Sequence, residues 1–183
     1  MICNLYWPDG TPYKNSPRYI LERVAEEAEQ EGYTCYIDPE CEFFLFHTDD
    51  NGNPTTVTHE KAGYLDMSPL DLGENARRDM VLTLEDMGME VESSHHEAAP
   101  AQHEIDFSYG EIRDIADCIM TFKMAVRIVA KRHGLHATFM PKPRAEVNGS
   151  GMHIQFSVFK NGRNLFEDAD HPGELSEEAR YFI

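Results

Sequence analysis

The segment from Pro39 to Phe46 has the most informative pattern of apolar and polar positions in the chain. It reads Pro-Glu-Cys-Glu-Phe-Phe-Leu-Phe, and an apolar, aromatic run of this length is typical of a buried β-strand. Side chains alternate across a strand, so Glu40 and Glu42 are predicted to share one face and Cys41 to lie on the other. Two buried carboxylates on one face repel each other, so the pattern indicates a positively charged partner such as a divalent metal ion.

Three other segments have the apolar spacing of amphipathic α-helices. Ser16-Pro17 and Ser68-Pro69 are start signals, because serine caps a helix and proline fits its first position. We therefore predict helices near 17–31, 69–87 and 111–133. Their predicted buried stripes are Ile20, Leu21, Val24, Ala25 and Ala28; Leu72, Ala76, Met80, Leu84 and Met87; and Ile112, Ile115, Ile119, Phe122, Val126 and Val129.

Period-two patterns between these helices predict further strands, and Asn161-Gly162 predicts a hairpin turn. The predicted strands cover 1–6, 34–37, 40–48, 90–97, 104–109, 136–140 and 152–159, and residues 168–174 are predicted to be a loop. The fold class is α+β. We expect a curved, mainly antiparallel sheet with the glutamates and His153 on one face and flanking helices on the other.

The overall composition narrows the possible functions. The chain has 183 residues, which is the size of one domain or of a domain with a small appendage, and 41% of them are apolar. Its net charge of -17 argues against nucleic acid or an anionic membrane as the main partner. No apolar run is long enough for a membrane span. The four cysteines have no metal-motif spacing, and reduced thiols in a cytoplasmic protein are the simplest interpretation.

A second acidic group lies in the segment 95–104, which reads His-His-Glu-Ala-Ala-Pro-Ala-Gln-His-Glu. His95 and Glu97 share a strand face, and Glu104 begins the returning strand, so a hairpin-like return would bring Glu97 and Glu104 together. The three histidines suggest zinc. Carboxylates dominate, however, and oxygen-rich sites select magnesium or manganese. Two such ions are suited to phosphoryl transfer.

A glycine-rich loop, Asn148-Gly-Ser-Gly-Met-His153, precedes the last long strand. Glycines let a backbone approach a ligand closely, but the loop alone fits an ordinary tight turn equally well. Alternation places His153, Gln155 and Ser157 on a polar face of the strand and Met152, Ile154, Phe156 and Val158 on a core face. A histidine here is compatible with a structural role or with a ligand role.

Taken together, these motifs resemble the catalytic domain of glutamine synthetase. The matching segments are 39–46, Gly63-Tyr64, 95–105, Phe139-Met-Pro-Lys-Pro143 and 148–153. Their order and spacing agree along nearly the whole chain, so residues 1–183 are expected to be part of such a domain. Departures from the family pattern are Arg144-Ala-Glu-Val147, Gln155 and Tyr109, which replaces the more usual phenylalanine.

The resemblance implies two metal sites, with two or more Mg2+ or Mn2+ ions in a complete site. Glu42, Glu97 and Glu104 match the ligands of the ion that faces glutamate and ammonium. Glu40 and His153 match ligands of the ion on the ATP phosphates.

The resemblance also assigns the substrates to particular residues. Asn148 and Gly149 match the glutamate-binding loop, and Tyr64 lines the ammonium pocket, so Tyr64 and Glu97 are the expected catalytic residues. The remaining matches are the residues expected to contact ATP, which are Glu92, Tyr109 and Ser157.

The implied reaction is ATP-dependent ligation of ammonia to the γ-carboxylate of glutamate through γ-glutamyl phosphate. The family's N-terminal β-grasp domain and its C-terminal part, with a flap glutamate and substrate-binding arginines, are not among these residues. We therefore expect the chain alone to be inactive and the full-length protein to be a homo-oligomer. Two alternatives remain open: a relative that ligates another amine, such as a polyamine, and a non-catalytic truncated homologue with a regulatory or structural role.

Overall fold

A computed structural model describes residues 1–58, 60–168, 170–171 and 173–183. The helices are α1 (Pro17–Gln30), α2 (Glu74–Asp86), α3 (Ile112–Arg132) and α4 (Glu177–Arg180). The strands are β1 (Tyr33–His47), β2 (Val91–His96), β3 (Gln102–Phe107), β4 (Gly110–Glu111), β5 (Leu135–Thr138), β6 (Met152–Lys160) and β7 (Arg163–Asn164). The pairings of β1 with β3, β4 and β5, of β2 with β3 and of β6 with β7 are all antiparallel. The predicted α+β class and mainly antiparallel sheet are confirmed.

The chain forms two compact units, and β1, α3 and β6 each run through both. The larger unit contains residues 38–108 and 118–154. The smaller unit contains residues 1–37, 109–117 and 155–183.

The larger unit is built on the antiparallel strands β2, β3 and β1, in that order. The register pairs Glu42 of β1 with Glu104 of β3, and Glu104 with His95 of β2. One further pair, Glu40 with Asp106, continues the same face. Because paired residues point to the same side of a sheet, this register creates an acidic face across three strands.

The opposite face of these strands forms the core of the larger unit. Cys41, Phe43 and Leu45 alternate with the glutamates of β1 and are almost completely buried, as period-two alternation predicts. They pack with side chains from β3, α2, α3 and β5, namely Ile105, Phe107, Ala76, Met80, Leu84, Phe122, Ala125, Val126, Val129, Ala130 and Ala137. Two helices therefore cover one face of the sheet and leave the acidic side chains on the other.

The smaller unit combines aromatic ring contacts, such as Phe156 with Phe166, with polar contacts and short turns. Arg18 of α1 forms an ion pair with Asp117 at 2.8 Å. The turn between β6 and β7 uses Asn161 and Gly162 with φ of 52° and 77°, which confirms the predicted hairpin. Ser176 caps α4, since its Oγ accepts a hydrogen bond from the Ala179 amide at 3.0 Å.

Three predicted elements need correction. The expected strand at 1–6 is absent from the described residues, and Tyr6 forms only an isolated bridge with Pro12. The two strands predicted at 34–37 and 40–48 are one continuous strand. The second helix begins at Glu74 rather than after Ser68. The intervening segment is a turn in which the Asp71 carboxylate accepts a hydrogen bond from the Gly73 amide at 2.8 Å, and this bond competes with helix formation.

Some predicted core positions are exposed. On α1, Ile20 and Val24 are 46% and 50% exposed, and only Ala25 is buried. Leu72 and Met87, at the ends of the predicted α2 stripe, are 51% and 49% exposed. The expected core face of β6 is wrong for its first residues, since Met152 and Ile154 are exposed whereas Val158 is buried. Apolar spacing predicts the amphipathic element but does not specify what covers it.

Two remaining predictions concern a loop and membrane spans. Residues 169 and 172 of the predicted loop 168–174 lie outside the described part of the chain. Among the described residues, no helix combines the length and the apolar character that crossing a membrane requires.

Candidate metal-binding site

The centre of the acidic face is a cluster of His95, Glu97 and Glu104. The His95 Nε2 atom lies 3.2 Å from Glu97 Oε1 and 3.1 Å from Glu104 Oε2. One potential ligand atom from each residue falls within 4.8 Å of the others. The cluster arises because β2 and β3 pair in a register that places His95 opposite Glu104, with Glu97 just beyond the end of β2. Three side chains with metal-ligand chemistry therefore converge on one point.

Glu42 adjoins this cluster and is connected to the glycine-rich loop through Gln102. The Gln102 Nε2 atom donates to Glu42 Oε2 at 2.7 Å and to the Gly149 carbonyl at 2.9 Å. Gln102 is completely buried, so this side chain joins β1 to the loop that follows Asn148. Asn148 itself is exposed.

Two glycines allow the loop to approach so closely. A Cβ added at Gly149 would lie 2.3 Å from the Pro141 carbonyl oxygen, and one at Gly151 would lie 2.9 Å from Glu42 Oε1. The contact at Gly149 is with backbone, so close packing requires glycine there, whereas a side chain at Gly151 would displace the Glu42 carboxylate. The close approach of the loop to Pro141 and Glu42 gives these glycines a more specific role than the ordinary tight turn that the sequence also allowed.

Glu40 and His153 form a second pair on the same face of the larger unit. The His153 Nδ1 atom lies 2.9 Å from Glu40 Oε2. The His153 side chain is 75% exposed, so its other ring nitrogen is accessible to a ligand. The structure thus brings together Glu97 with Glu104, places Glu42 beside the loop, and pairs Glu40 with His153.

Crowding of carboxylates changes the proton affinity of the site. Burial, together with a hydrogen bond to Glu97 and the charges of Asp106 and Glu42, raises the pKa of Glu104 to about 9. Burial also raises the pKa of Glu42, against the effect of a hydrogen bond from the Gly151 amide. The like charges make the ionised face unfavourable by itself.

The donor set of this face fits a hard divalent cation. It is rich in carboxylate oxygens with one or two imidazoles, which are ligands that Mg2+ and Mn2+ accept. One buried oxygen, Asp106 Oδ1, has no hydrogen-bond partner among the described residues. His95, Glu97 and Glu104 have ligand atoms close enough to share one ion. Glu40 pairs with His153, and Glu42 lies near enough for the Glu97 and Glu40 charges to raise its pKa further.

The other residues singled out by the sequence occupy different positions. The Tyr64 ring lies 5.5 Å from the His95 ring, edge to face, so Tyr64 is beside the cluster. Glu92 is exposed on β2. The pKa of Asp38 is raised mainly by burial and, to a smaller extent, by the negative charge of Glu92. Tyr109 and Ser157 belong to the smaller unit.

A second buried cluster lies behind the acidic strands and consists of Glu60, Asp71, His96 and His103. Arg77 accompanies it, with Nη1 2.6 Å from Asp71 Oδ2 and 2.9 Å from His103 Nδ1. Burial lowers the pKa of His103 well below its usual value. Burial also acts to lower the pKa of His96, but the hydrogen bond and charge of Glu60 outweigh it and raise that pKa. Asp71 pairs with Arg77, and Glu60 has His96 and the Ala101 amide as partners, so both carboxylates are accommodated without a metal ion.

Sequence reasoning missed Gln102 and Asp106 as members of the acidic face. Asp106 shares a face with Glu104 under period-two alternation within the predicted strand 104–109, and that signal was sufficient to include it. Gln102 lay outside that predicted strand, and its place on the acidic face follows from the observed start of β3 at Gln102. The cluster behind the strands had no comparable signal, because it joins residues that are distant in sequence.

The geometry can be compared with known proteins. The sequence model of the family described as "Glutamine synthetase, catalytic domain" matches residues 14–183. The chain belongs to the glutamine synthetase family, which is a family of enzymes. It is 57% identical over all 183 residues to the glutamine synthetase of Clostridium saccharobutylicum and covers 41% of that protein. It is 52% identical to the glutamine synthetase of Thermus thermophilus, again covering 41%.

Solved structures of this family share the fold. The chain superposes on an ADP complex of GmaS with a TM-score of 0.86 and 31% identity, covering 98% of this chain and 41% of that one. The cryo-EM structure of Plasmodium falciparum glutamine synthetase gives a TM-score of 0.85 at 27% identity, with the same coverage. The resemblance seen in the motifs is confirmed, and the chain spans about 41% of the length of these relatives.

Proposed function

We propose that residues 1–183 are part of the catalytic domain of an ATP-dependent glutamate–ammonia ligase, which makes glutamine. The observation that carries this proposal is the convergence of Glu97 and Glu104, within hydrogen-bonding distance of His95, on a face that also carries Glu42. Such a concentration of buried carboxylates is costly unless a cation is bound. Membership in the glutamine synthetase family supplies the reaction.

In this proposal, Glu42, Glu97 and Glu104 hold one Mg2+ or Mn2+ ion, and Glu40 and His153 contribute to a second. A complete site has two or more ions. When bound, these cations supply positive charge beside the phosphates and the developing negative charge of phosphoryl transfer. The chain's own contribution is to hold five ligands in place and, through Gln102, to keep the Gly149 loop against Glu42.

Substrate roles follow from the same proposal. Asn148 and Gly149 bind glutamate, and Tyr64, beside His95, lines the ammonium pocket. ATP contacts are assigned to three residues, which are Glu92, Tyr109 and Ser157. A γ-carboxylate oxygen of glutamate attacks the γ-phosphorus of ATP, the bond from that phosphorus to the β,γ-bridging oxygen breaks, and ADP leaves as γ-glutamyl phosphate forms. Ammonia, after losing a proton from ammonium, attacks the acyl carbon and phosphate leaves, so positioning and electrostatics supply most of the catalysis.

The proposal also covers the amine, the assembly and the location of the protein. Relatives at 50–57% identity are named glutamine synthetase, which supports ammonia over a polyamine as the amine. The 183 residues alone are proposed to be inactive, since they span 41% of those relatives. The longer protein is proposed to be a cytoplasmic homo-oligomer.

A chimera tests the activity. The matching segment of the C. saccharobutylicum enzyme is replaced by residues 1–183, a substitution favoured by 57% identity over the whole segment. We expect phosphate release that requires ATP, glutamate and ammonium, and we expect Glu97→Gln to abolish it. Glu85→Gln, at an exposed α2 position, is the matched control and should have no effect. A well-folded chimera with no ammonium-dependent turnover, or one that prefers a polyamine, would contradict the proposal.

A further inference from the structure

The carboxylate of Glu60 is buried on the reverse side of the acidic strands, where the proposed metal ligands do not lie. The residue is 7% exposed. Both of its carboxylate oxygens lie 3.1 Å from His96 Nε2, and Oε1 also accepts a hydrogen bond from the Ala101 amide. A buried carboxylate is retained only with partners of this kind.

His96 connects this carboxylate to Glu97. The His96 ring is fully buried, and its Nδ1 atom lies 2.6 Å from the Glu97 carbonyl oxygen. Both ring nitrogens therefore face oxygen acceptors, so each is assigned a hydrogen and His96 donates to both. The result is a continuous chain of contacts from Glu60 through His96 to the backbone of Glu97.

The same carboxylate also holds the other end of the turn that carries Glu97. Ala101, which donates to Glu60, has φ of 66°, in a region that non-glycine residues seldom occupy. The main-chain carbonyl oxygen of the next residue, Gln102, accepts a hydrogen bond from the Glu97 amide at 2.8 Å. Glu60 thus contacts His96, just before the turn 97–102, and Ala101, near its end. This turn carries Glu97 and Gln102, whose side chains lie on the acidic face.

We propose that Glu60 and His96 are positioning residues that fix Glu97 and Gln102 for metal binding. Neither side chain reaches the acidic face; they act through the Glu97 carbonyl and the Ala101 amide. This inference rests on the proposed function, because the proposed function assigns Glu97 as a metal ligand. Residues that orient metal ligands typically change metal affinity by about 10- to 100-fold when they are replaced.

The test compares Mn2+ affinity in variants of the 183-residue chain, using the EPR signal of free Mn2+. Glu60→Gln keeps the shape but removes the charge, and it should weaken binding by roughly 10- to 100-fold. His96→Gln keeps a donor toward Glu60 but loses the bond to the Glu97 carbonyl, and it should have a similar effect.

The matched control is Asp71→Asn, which removes a carboxylate that is equally buried in the same cluster but pairs with Arg77 and does not touch the turn. It should destabilise the chain without a comparable loss of Mn2+ affinity. If Asp71→Asn weakens Mn2+ binding as much as Glu60→Gln, the role of Glu60 is general stability and the positioning proposal is wrong.

Amide hydrogen exchange without metal separates this proposal from the proposed function. Glu60→Gln should accelerate exchange at the Ala101 and Glu97 amides on the order of tenfold, since a charge-assisted hydrogen bond is weakened. Asp71→Asn should not do so selectively. Absence of Mn2+ binding in the unaltered chain would refute the metal site, whereas unchanged exchange in Glu60→Gln would refute positioning.

Discussion

Replacing Glu104 by glutamine should stabilise the metal-free chain while removing its capacity to bind metal. Glu104 is 6% exposed, and burial with the nearby Glu97, Asp106 and Glu42 raises its pKa from 4.5 to about 9. A folded-state pKa above the unfolded value means that the folded state binds the proton more tightly. Stability contributed by Glu104 is therefore present below pH 4.5 and is lost as pH rises toward 9.

The size of the stabilisation by Glu104→Gln follows from the pKa shift of Glu104. At pH 7.5 the unfolded carboxyl group has a pKa about 3 units below the solution pH, and each unit is worth about 1.36 kcal/mol, so the upper limit is about 4 kcal/mol. Neighbouring ionisations share this cost, so we expect a gain of about 2 kcal/mol from Glu104→Gln. For a chain of this size that corresponds to roughly 4–8 °C in Tm.

The assay is thermal unfolding in EDTA between pH 4.5 and 8.5. The gain should be greatest at high pH and should nearly vanish at pH 4.5, where Glu104 is protonated in the folded state and about half protonated in the unfolded state. Glu85→Gln, on the exposed side of α2, should change Tm little at any pH. In saturating Mn2+ the order should reverse, because only the unaltered chain gains binding energy. A lower Tm for Glu104→Gln in EDTA at pH 7.5, or a gain independent of pH, would refute this reasoning.

Two further predictions concern the loop and the core. Gly151→Ala should weaken Mn2+ binding in EPR titrations, because the added Cβ would lie 2.9 Å from Glu42 Oε1. The control Gly63→Ala should leave Mn2+ binding unchanged, because the nearest neighbour of its added Cβ would be 3.8 Å away. Iodoacetamide should label the exposed Cys3 at pH 8 and spare Cys41, because burial raises the pKa of the Cys41 thiol to about 12. Equal labelling rates of the two cysteines, measured by mass spectrometry, would contradict the buried position of Cys41.

The acidic strand was predictable because its signal is local. Alternation in Pro39–Phe46 specifies which side chains share a face, and the structure puts Cys41 and Phe43 in the core, away from Glu42. The hairpin at Asn161-Gly162 was predictable for the same reason, since both residues tolerate positive φ.

Features that depend on distant partners were not predictable in this way. The start of α2 was predicted too early because Ser68-Pro69 is a valid start signal, whereas the bond from Gly73 to Asp71 delays the helix. Glu60 was not singled out from the sequence, and its role depends on contacts with His96 and Ala101 that only the folded chain creates. Sequence pattern specifies faces and turns, but it does not specify which buried polar groups meet.

The central claim is that the acidic face binds divalent metal through named carboxylates. Crystals of the chain grown with Mn2+ test it most directly, through anomalous scattering from manganese. We predict one peak bounded by Glu42, Glu97 and Glu104 and a second beside Glu40 and His153. Peaks confined to other surfaces, or no peak on this face at saturating Mn2+, would contradict the account.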